Sequence, residues 1–287
     1  MMQNHESPQT QRVTWLEILA VICAIVAMSP AFCALWNIVL NSQQLRDAIV
    51  ALVVAGLIMA IEYDIRPHFP KFTKYALFSL GISYACLFSA KLFGLWGAFV
   101  GLFGATALLA TIGFACFDKK RYVIATSAGF YAFTILAFAV KIFDLPLRVI
   151  AGKLSVGILH LFNNAATLYL IKGQEPQIAM NVSGACYLVA TECNGFGIIS
   201  SCTVLSVFLA FFRKNTSLIK KISLIVISVI TAFLSNALRI TAIVLVAPLV
   251  GKERYFFWHE VIGYATFAIT LIIVWIICSH KKNKKKS

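Results

Sequence analysis

The stretch of sequence that decides the fold is residues 222–249, ISLIVISVITAFLSNALRITAIVLVAPL. It is apolar apart from small polar side chains, and its one charged residue is Arg239. A helix needs about 20 predominantly apolar residues to cross the hydrocarbon core of a bilayer, so this stretch predicts a transmembrane span. A charge within a span is costly unless it faces a protein interior or a wet cavity. Arg239 is therefore a candidate functional residue.

The rest of the chain has the same apolar character. Of its 287 residues, 60% are hydrophobic and 13% are charged, and the mean hydropathy is +0.86. A soluble domain of this length could not bury so much apolar surface, so we expect lipid to surround it. The pattern predicts an all-α, polytopic membrane helical bundle that forms one domain, residues 1–287. The eight predicted spans are 15–40, 48–63, 75–93, 95–117, 122–143, 194–212, 222–249 and 259–278.

Two breaks between apolar runs carry further expectations. Only Gly94 and its neighbours separate the third and fourth spans, which predicts a tight helical hairpin. The first run is too long for the core of a signal peptide, so we expect a retained span rather than a cleaved leader.

The net charge of +14 is distributed unevenly between alternate loops. One set of loops, with both termini, holds sixteen basic residues, and the opposite set with the adjoining span ends holds eight. The positive-inside rule then places the N-terminus (1–14) and the Lys-rich tail (279–287) in the cytoplasm. The runs are short and juxtamembrane, so we expect membrane lipids, not nucleic acid, as their partners.

The longest loop, residues 144–193, is then extracytoplasmic. It opens at Pro146, and apolar residues at helical spacing predict an amphipathic helix lying in the outer interface. Those residues are Leu154, Ile158, Leu161, Ala165 and Leu168. His160 and the pair Asn163–Asn164 would lie on the polar side, solvated rather than catalytic. Residues 173–186 are typical of irregular or strand-like surface leading to Cys193.

Span order places three reactive side chains at one depth. Cys193 stands at the extracytoplasmic start of the sixth span, and His259 at the outer start of the eighth. Arg239 follows Ile222 by 17 residues, which is about 26 Å of helix and close to the far side of a ~30 Å hydrocarbon core. The three side chains are therefore expected near the same membrane face.

Each of these side chains has chemistry suited to a cysteine nucleophile's site. A cysteine at a helix N-terminus faces unpaired N–H groups, which favour the thiolate, and Gly195 and Gly197 allow close approach to the backbone. His259 can exchange a proton near neutral pH. The fork of Arg239 suits a carbonyl, an oxyanion or a carboxylate, and Asn236 on the same helical face could orient it.

Taken singly, each residue also has a structural interpretation. Cys193 could be structural or form a disulfide with Cys186 in an oxidising compartment. Arg239 could snorkel to the interface or pair with one of three glutamates, Glu192, Glu253 or Glu260. His259 follows a run of aromatic residues and could belong to an aromatic belt. The cysteines show no C-x-x-C pair and no zinc spacing, so we expect no metal and no cofactor.

Three short motifs in order resemble the exosortase/archaeosortase family of membrane cysteine enzymes. They are Thr191-Glu192-Cys193-Asn194-Gly195-Phe196, Asn236-Ala237-Leu238-Arg239-Ile240 and Trp258-His259-Glu260. The resemblance implies Cys193 as nucleophile, with Arg239 and His259 as its catalytic partners. Glu192 and Asn194 are supporting candidates for orienting groups, although many members have Ser or Thr where this chain has Asn194.

The resemblance also implies a substrate and a location. Family members cut C-terminal sorting signals and are thought to act as transpeptidases. The implied partner is a secreted protein that ends in a short motif (Pro-Glu-Pro in the best-known type), a transmembrane helix and a basic cluster. Histidine at the third catalytic position is similar to the bacterial branch, which implies the bacterial inner membrane, with the active site on the extracytoplasmic side.

Other classes of function remain alternatives. A transporter or channel could use Arg239 to bind an anion, but it would usually show a repeat between halves. An enzyme acting on lipid or exopolysaccharide precursors more often uses carboxylates or metals, and the outer glutamates lack metal-ligand spacing. A purely structural scaffold would leave Arg239 unexplained.

Overall fold

The computed structural model describes most of the chain from residue 43 to residue 279. The described residues are 43–67, 73–90, 97–162, 164–171, 177–189 and 195–279, with 19, 22, 23, 26, 29 and 92 as isolated positions. Most of the predicted span 15–40 lies outside these residues, as do the tail 280–287 and the predicted site residues Glu192, Cys193 and Asn194.

Helices dominate the described chain, and one small sheet interrupts them. The helices are α1 Gln43–Glu62, α2 Lys74–Ala90, α3 Gly97–Cys116, α4 Lys120–Leu161, α5 Phe196–Phe212 and the run Leu218–Ser279. This last run breaks at Gly251, whose φ of 72° and ψ of 167° are not helical, so it consists of two arms, α6 (Leu218–Gly251) and α7 (Glu253–Ser279).

Three described segments are long and apolar enough to cross a membrane. They are Phe99–Cys116, Leu218–Gly251 and Glu253–Ser279, and α5 is a shorter apolar helix. A membrane protein built mainly from helices is therefore confirmed, while the number of eight spans stays a prediction.

The chain divides into two compact units. The first contains residues 1–36 and 59–127, and the second contains 37–58 and 128–287. In the first unit α2 and α3 pack as an antiparallel hairpin. The Tyr75 and Phe114 rings lie 5.8 Å apart, and the carbonyl of Ala90 lies directly against Gly97. This close return agrees with the tight hairpin predicted between the third and fourth spans.

In the second unit, α4 corrects the prediction that the long loop opens at Pro146. The helix continues through Pro146 to Leu161, although an interior proline removes one hydrogen bond and its ring crowds the carbonyl of residue i−4. Asp144 and Arg148 form an ion pair across this turn at 2.6 Å.

The predicted interfacial helix is correct only in part. Residues 154–161 are helical as the end of α4, whereas Leu168 lies in a strand. The apolar spacing was misleading because Leu168 reaches the same apolar core from the strand, where its side chain contacts Gly152 of α4. The ring of His160, near the end of α4, contacts the start of this strand, with its Nε2 2.8 Å from the carbonyl oxygen of Ala166.

The sheet follows α4 and has the strand order β1-β2-β3, all antiparallel. The strands are β1 Ala166–Ile171, β2 Gln177–Val182 and β3 Ala185–Val189. A two-residue turn with positive φ at Ser183 and Gly184 joins β2 to β3, which is the geometry of a tight hairpin. The prediction of strand-like surface over residues 173–186 thus agrees with the described strands.

One face of the sheet packs on helices of the second unit. A hydrophobic core between the sheet and the helices contains residues from the end of α4, from all three strands, and from α6 at Ile240 and Val244. The buried members are Ala151, Leu159, Ala166, Ile178, Met180, Val182, Val189, Ile240 and Val244. The sheet is thereby held against the turn of α6 that follows Arg239.

Candidate active site

The helices α5 and α6 form an antiparallel pair. Gly195, immediately before α5, packs against the side chain of Asn236 on α6. At the other end of the pair, the Lys221 ammonium lies 4.4 Å from the centre of the Phe211 ring. Each contact joins residues at matching distances from the connecting turn, so the start of α5 lies level with Asn236.

The approach at Gly195 is unusually close. A Cβ atom there would lie 2.5 Å from Nδ2 of Asn236, closer than any ordinary side chain tolerates. Gly195 also has a φ of 78°, a conformation that glycine adopts without strain. The expected close approach at this glycine is confirmed. The helix begins at Phe196, two residues later than the predicted start of the span, so the thiol of Cys193 precedes the first turn in the sequence.

The arms α6 and α7 form a second antiparallel pair that turns at Gly251. Ser228 Oγ lies 3.6 Å from Cys278 Sγ far from the turn, and the guanidinium of Arg239 packs on Gly263 nearer to it. Arg239 and Gly263 are each twelve residues from Gly251. The two arms therefore run side by side in register.

The glycine at position 263 makes room for the arginine fork. A Cβ atom there would lie 3.1 Å from Nη2 and 3.3 Å from Nε of Arg239. Gly263 follows His259 by four residues, one helical turn on the same face. The guanidinium thus rests one turn from His259. Gly263 was not among the residues predicted from the sequence, although equal spacing about Gly251 was a signal that could have found it.

His259 lies half-buried on α7 among aromatic residues. Its ring centre is 5.9 Å from that of Tyr255, one turn earlier on the helix. The neighbouring side chains of Phe256, Phe257 and Trp258 are exposed. The aromatic surroundings expected from the sequence are present, and the imidazole shares its partial burial with Tyr255.

The helix α4 fixes α6 at the level of the polar side chains. Ser155 Oγ lies 2.8 Å from the carbonyl oxygen of Ala151 and 3.0 Å from that of Ala237, next to Asn236. Asn236 itself is 1% exposed. A buried amide held between a fixed helix and Gly195 has little freedom to move, so its position follows from packing.

Cys186 carries a free thiol in this structure. Its Sγ lies 2.7 Å from the hydroxyl oxygen of Tyr169, across the outer face of the sheet. This hydrogen bond raises the pKa of the Tyr169 phenol, and burial and the charge of Cys186 act in the same direction. The disulfide between Cys186 and Cys193, the alternative interpretation of the sequence, is not formed here.

Three of the six predicted site residues are described, and they lie in one region. Asn236 contacts Gly195, Arg239 contacts Gly263, and His259 lies one turn from Gly263 on the same arm. The other three predicted site residues are Glu192, Cys193 and Asn194. The nearest described residues in the sequence on either side of them are Val189 and Gly195, and both pack against α6. Across the described ranges, no three His, Cys, Asp or Glu side chains are grouped to hold a metal ion.

The fold and this region together define a class of protein. It is a helical membrane protein in which an amide, a guanidinium and an imidazole gather where three apolar helices meet. A family model described as transmembrane exosortase matches residues 36–276. The chain therefore belongs to the transmembrane exosortase family, whose members are cysteine transpeptidases that act in protein sorting at membranes. No curated relative and no solved structure matches the chain.

Proposed function

We propose that this protein is a cysteine peptidase-transpeptidase that cleaves the C-terminal sorting signal of secreted proteins, with Cys193 as nucleophile and Arg239 and His259 as its partners. The observation that carries the proposal is a pair of contacts on one helix. Asn236 packs on Gly195, two residues after Cys193, and Arg239 packs on Gly263, one turn after His259.

Covalent geometry limits how far the thiol can lie from this region. Two residues of chain span at most about 7 Å, so the Cα atom of Cys193 lies within that distance of Gly195. Asn236 touches Gly195, and Arg239 is one helical turn further along α6. An arrangement of nucleophile, fork and imidazole around one scissile bond is compatible with these distances.

The mechanism assigns one role to each side chain. The thiolate of Cys193 attacks the scissile carbonyl carbon, and the electron pair of the C=O bond moves to oxygen. Arg239 donates hydrogen bonds to this oxyanion, which it can stabilise strongly in a site shielded from water. The C–N bond then breaks, His259 gives its proton to the leaving amine, and a thioester remains on Cys193.

The second half of the reaction releases the product. A nucleophile from outside, either an amine or water, attacks the thioester carbonyl and transfers its proton to His259. The C–S bond breaks and the thiolate of Cys193 is restored. Asn236 acts as a positioning residue that holds α6 against the start of α5, with Glu192 and Asn194 as orienting groups beside the thiol.

The site is proposed to face the extracytoplasmic side of the bacterial inner membrane, with both termini in the cytoplasm. The charge asymmetry of the loops supports this orientation. The substrate is a secreted protein whose C-terminus carries a short motif, one transmembrane helix and a basic cluster. Such a helix can dock among the spans and leave its motif beside Cys193.

The test is processing of a tagged reporter by variants in the native host. The reporter carries the C-terminal motif, helix and basic cluster of a secreted protein from the same organism. We expect Cys193→Ala to abolish cleavage, while Cys202→Ala, at a buried thiol within α5, leaves it intact. Continued cleavage by Cys193→Ala would exclude Cys193 as the nucleophile. It would favour the alternatives of a carboxylate-based enzyme or a transporter.

A further inference from the structure

The free edge of β3 is the feature that extends the proposed function. In the described part of the chain the sheet ends at β3, with no fourth strand beyond it. Six residues after Val189, the last residue of β3, the chain reaches Gly195 at the candidate site. An exposed strand edge presents a row of backbone N–H and C=O groups that can pair with an extended peptide.

The register identifies which backbone groups face outward. Ser183 N–H donates to the carbonyl oxygen of Ala165 at 2.9 Å, which continues the pairing of Ala166 with Val182. Bonded and non-bonded positions alternate along antiparallel strands. Tyr187 and Val189 therefore bond to β2, and the N–H and C=O groups of Cys186 and Leu188 point away from the sheet. Both residues are exposed, Leu188 by 60%.

A shallow apolar groove runs beside this edge, between β3 and the arms α6 and α7. Its walls come from the strand on one side and from the helical arms on the other. They include Tyr187, Leu188, Val189, Ile240, Ile243 and Tyr255. Ile240 directly follows Arg239, and Tyr255 lies one turn before His259, so the groove leads to the candidate site.

We propose that the sorting signal of the substrate binds as a fourth strand on the edge of β3, just before the scissile bond. This inference rests on the proposed function. The occupant is the extended segment on the N-terminal side of the bond, because a substrate must continue beyond that bond into its transmembrane helix. This chain does the same, passing from β3 through Cys193 into α5.

The shared direction makes the added strand parallel to β3. In both sequences the reacting residues lie between a strand segment and an apolar helix. Backbone pairing supplies affinity without reading side chains, while alternate side chains of the signal face the groove and supply selectivity. The device fits an enzyme that must hold many proteins by one short motif.

The first test uses the native Cys186 thiol, which needs no change in the sheet. In a Cys193→Ala background, single cysteines are placed along the tagged reporter on both sides of its cleavage point. Neighbouring strands lie about 4.8 Å apart, which is within the range of Cα separations that a disulfide bridges. We expect mild oxidation to cross-link Cys186 to upstream positions at every second residue, and Cys186→Ser to abolish the product.

Two outcomes would overturn the added strand. One is the absence of any cross-link to Cys186, and the other is cross-linking confined to positions after the cleavage point. Failure of the proposed function is separate from both, since it would appear as cleavage of the reporter in the Cys193→Ala background itself.

The second test removes a single outward N–H group. Leu188→Pro deletes this donor while leaving the bonds to β2, and proline is tolerated at such edge positions. We expect at least about a fivefold loss of reporter processing, the scale of one hydrogen bond, with unchanged alkylation of Cys193 by iodoacetamide. Leu188→Ala keeps the N–H group but shortens one wall of the groove, so it should lose less processing than Leu188→Pro.

Leu170→Pro is the matched control on the opposite edge of the sheet. Leu170 of β1 is 50% exposed, and its N–H group also points outward by the same alternation. Equal processing by Leu170→Pro and Leu188→Pro, at any level, would overturn the assignment of the signal to the β3 edge.

Discussion

Two helical hairpins in this protein are built alike and differ in what they hold between their arms. Within α2 and α3 of the first unit, the one charged residue is Lys74 at the start of α2. The hydroxyl of Ser79 in α2 donates to the carbonyl oxygen of Ala107 in α3 at 2.6 Å. The α6–α7 hairpin of the second unit instead places Arg239 against Gly263, with Asn236 and His259 nearby.

The two hairpins differ in the kind of polar group that they hold. Small hydroxyls that bond to carbonyls let apolar helices pack closely and need no other partner. Placing a guanidinium between apolar helices costs free energy, whereas an apolar side chain could fill the same space without that cost. Its presence in α6, beside a glycine that leaves room for its fork, is a reason why we propose a catalytic role for Arg239.

The largest effect on reporter processing is expected from substitution of Arg239 in the α6–α7 hairpin. Arg239→Lys keeps the charge but loses the planar fork, and we expect processing of the reporter to fall by about a hundredfold or more. Arg254→Lys, at an exposed position on the same hairpin, should process normally. Full activity of Arg239→Lys would exclude a two-pronged role for the guanidinium.

The next effect tests the contact between Asn236 and the start of α5. Gly195→Ala adds a Cβ atom 2.5 Å from Nδ2 of Asn236 in a left-handed backbone. We expect a loss of stability of about 2 kcal/mol or more, from clash and backbone strain together, and a matching loss of processing. Thermal unfolding in mild detergent measures the first quantity.

Gly184→Ala separates the two contributions. Gly184 has a φ of 88° and no atom within 4 Å of an added Cβ, so its substitution carries strain alone. If Gly195→Ala is no more harmful than Gly184→Ala, the contact with Asn236 does not constrain the site.

A smaller effect on processing is expected when alanine replaces one glycine in each hairpin, Gly263 in α7 and Gly81 in α2. Gly263→Ala brings a Cβ atom to 3.1 Å from Nη2 of Arg239, so the fork must shift by a fraction of an ångström. We expect processing to fall about threefold to tenfold with little change in stability, because small misplacements of catalytic groups are costly. Gly81→Ala in α2, with nothing within 4 Å, should leave processing at wild type and should not lower stability, since alanine favours a helix more than glycine does.

The smallest effect is expected in the first hairpin. Ser79→Ala removes the hydrogen bond to Ala107, worth about 0.6 kcal/mol on average between helices in membranes. Unfolding by detergent titration should detect this loss while processing stays at wild type. Thr111→Val, which removes a bond within α3 to the same carbonyl, should cost less, since that carbonyl keeps Ser79 as a donor.

The sequence allowed the helical membrane class to be predicted because apolar runs are long and charges are few. The depth of Arg239 in the membrane stays a prediction, which was made by converting residue number into helical rise. The extent of α4 did not follow. A proline and a change of surroundings suggested a loop at Pro146, whereas a helix supported by the Asp144–Arg148 pair and by packing against the sheet continues through it.

The sheet was harder still to foresee. Leu154, Ile158, Leu161 and Leu168 share a helical period, yet Leu168 reaches the core from β1. Hydrophobic period cannot distinguish a helix from a helix followed by a strand that returns over it. Gly263 was missed for another reason: its role depends on a side chain from the opposite arm, and only its equal spacing with Arg239 about Gly251 pointed to it.

The break at Gly251 has a consequence for how the chain can change in length. Arg239 and Gly263 stand at equal distances from it, so one added or deleted residue in either arm would rotate the remainder by about 100°. The guanidinium and its glycine would then face different directions. Insertions and deletions between residues 239 and 263 should therefore abolish processing, whereas those in the short connection 213–217 should preserve it. Activity thus depends on the number of residues in the two arms.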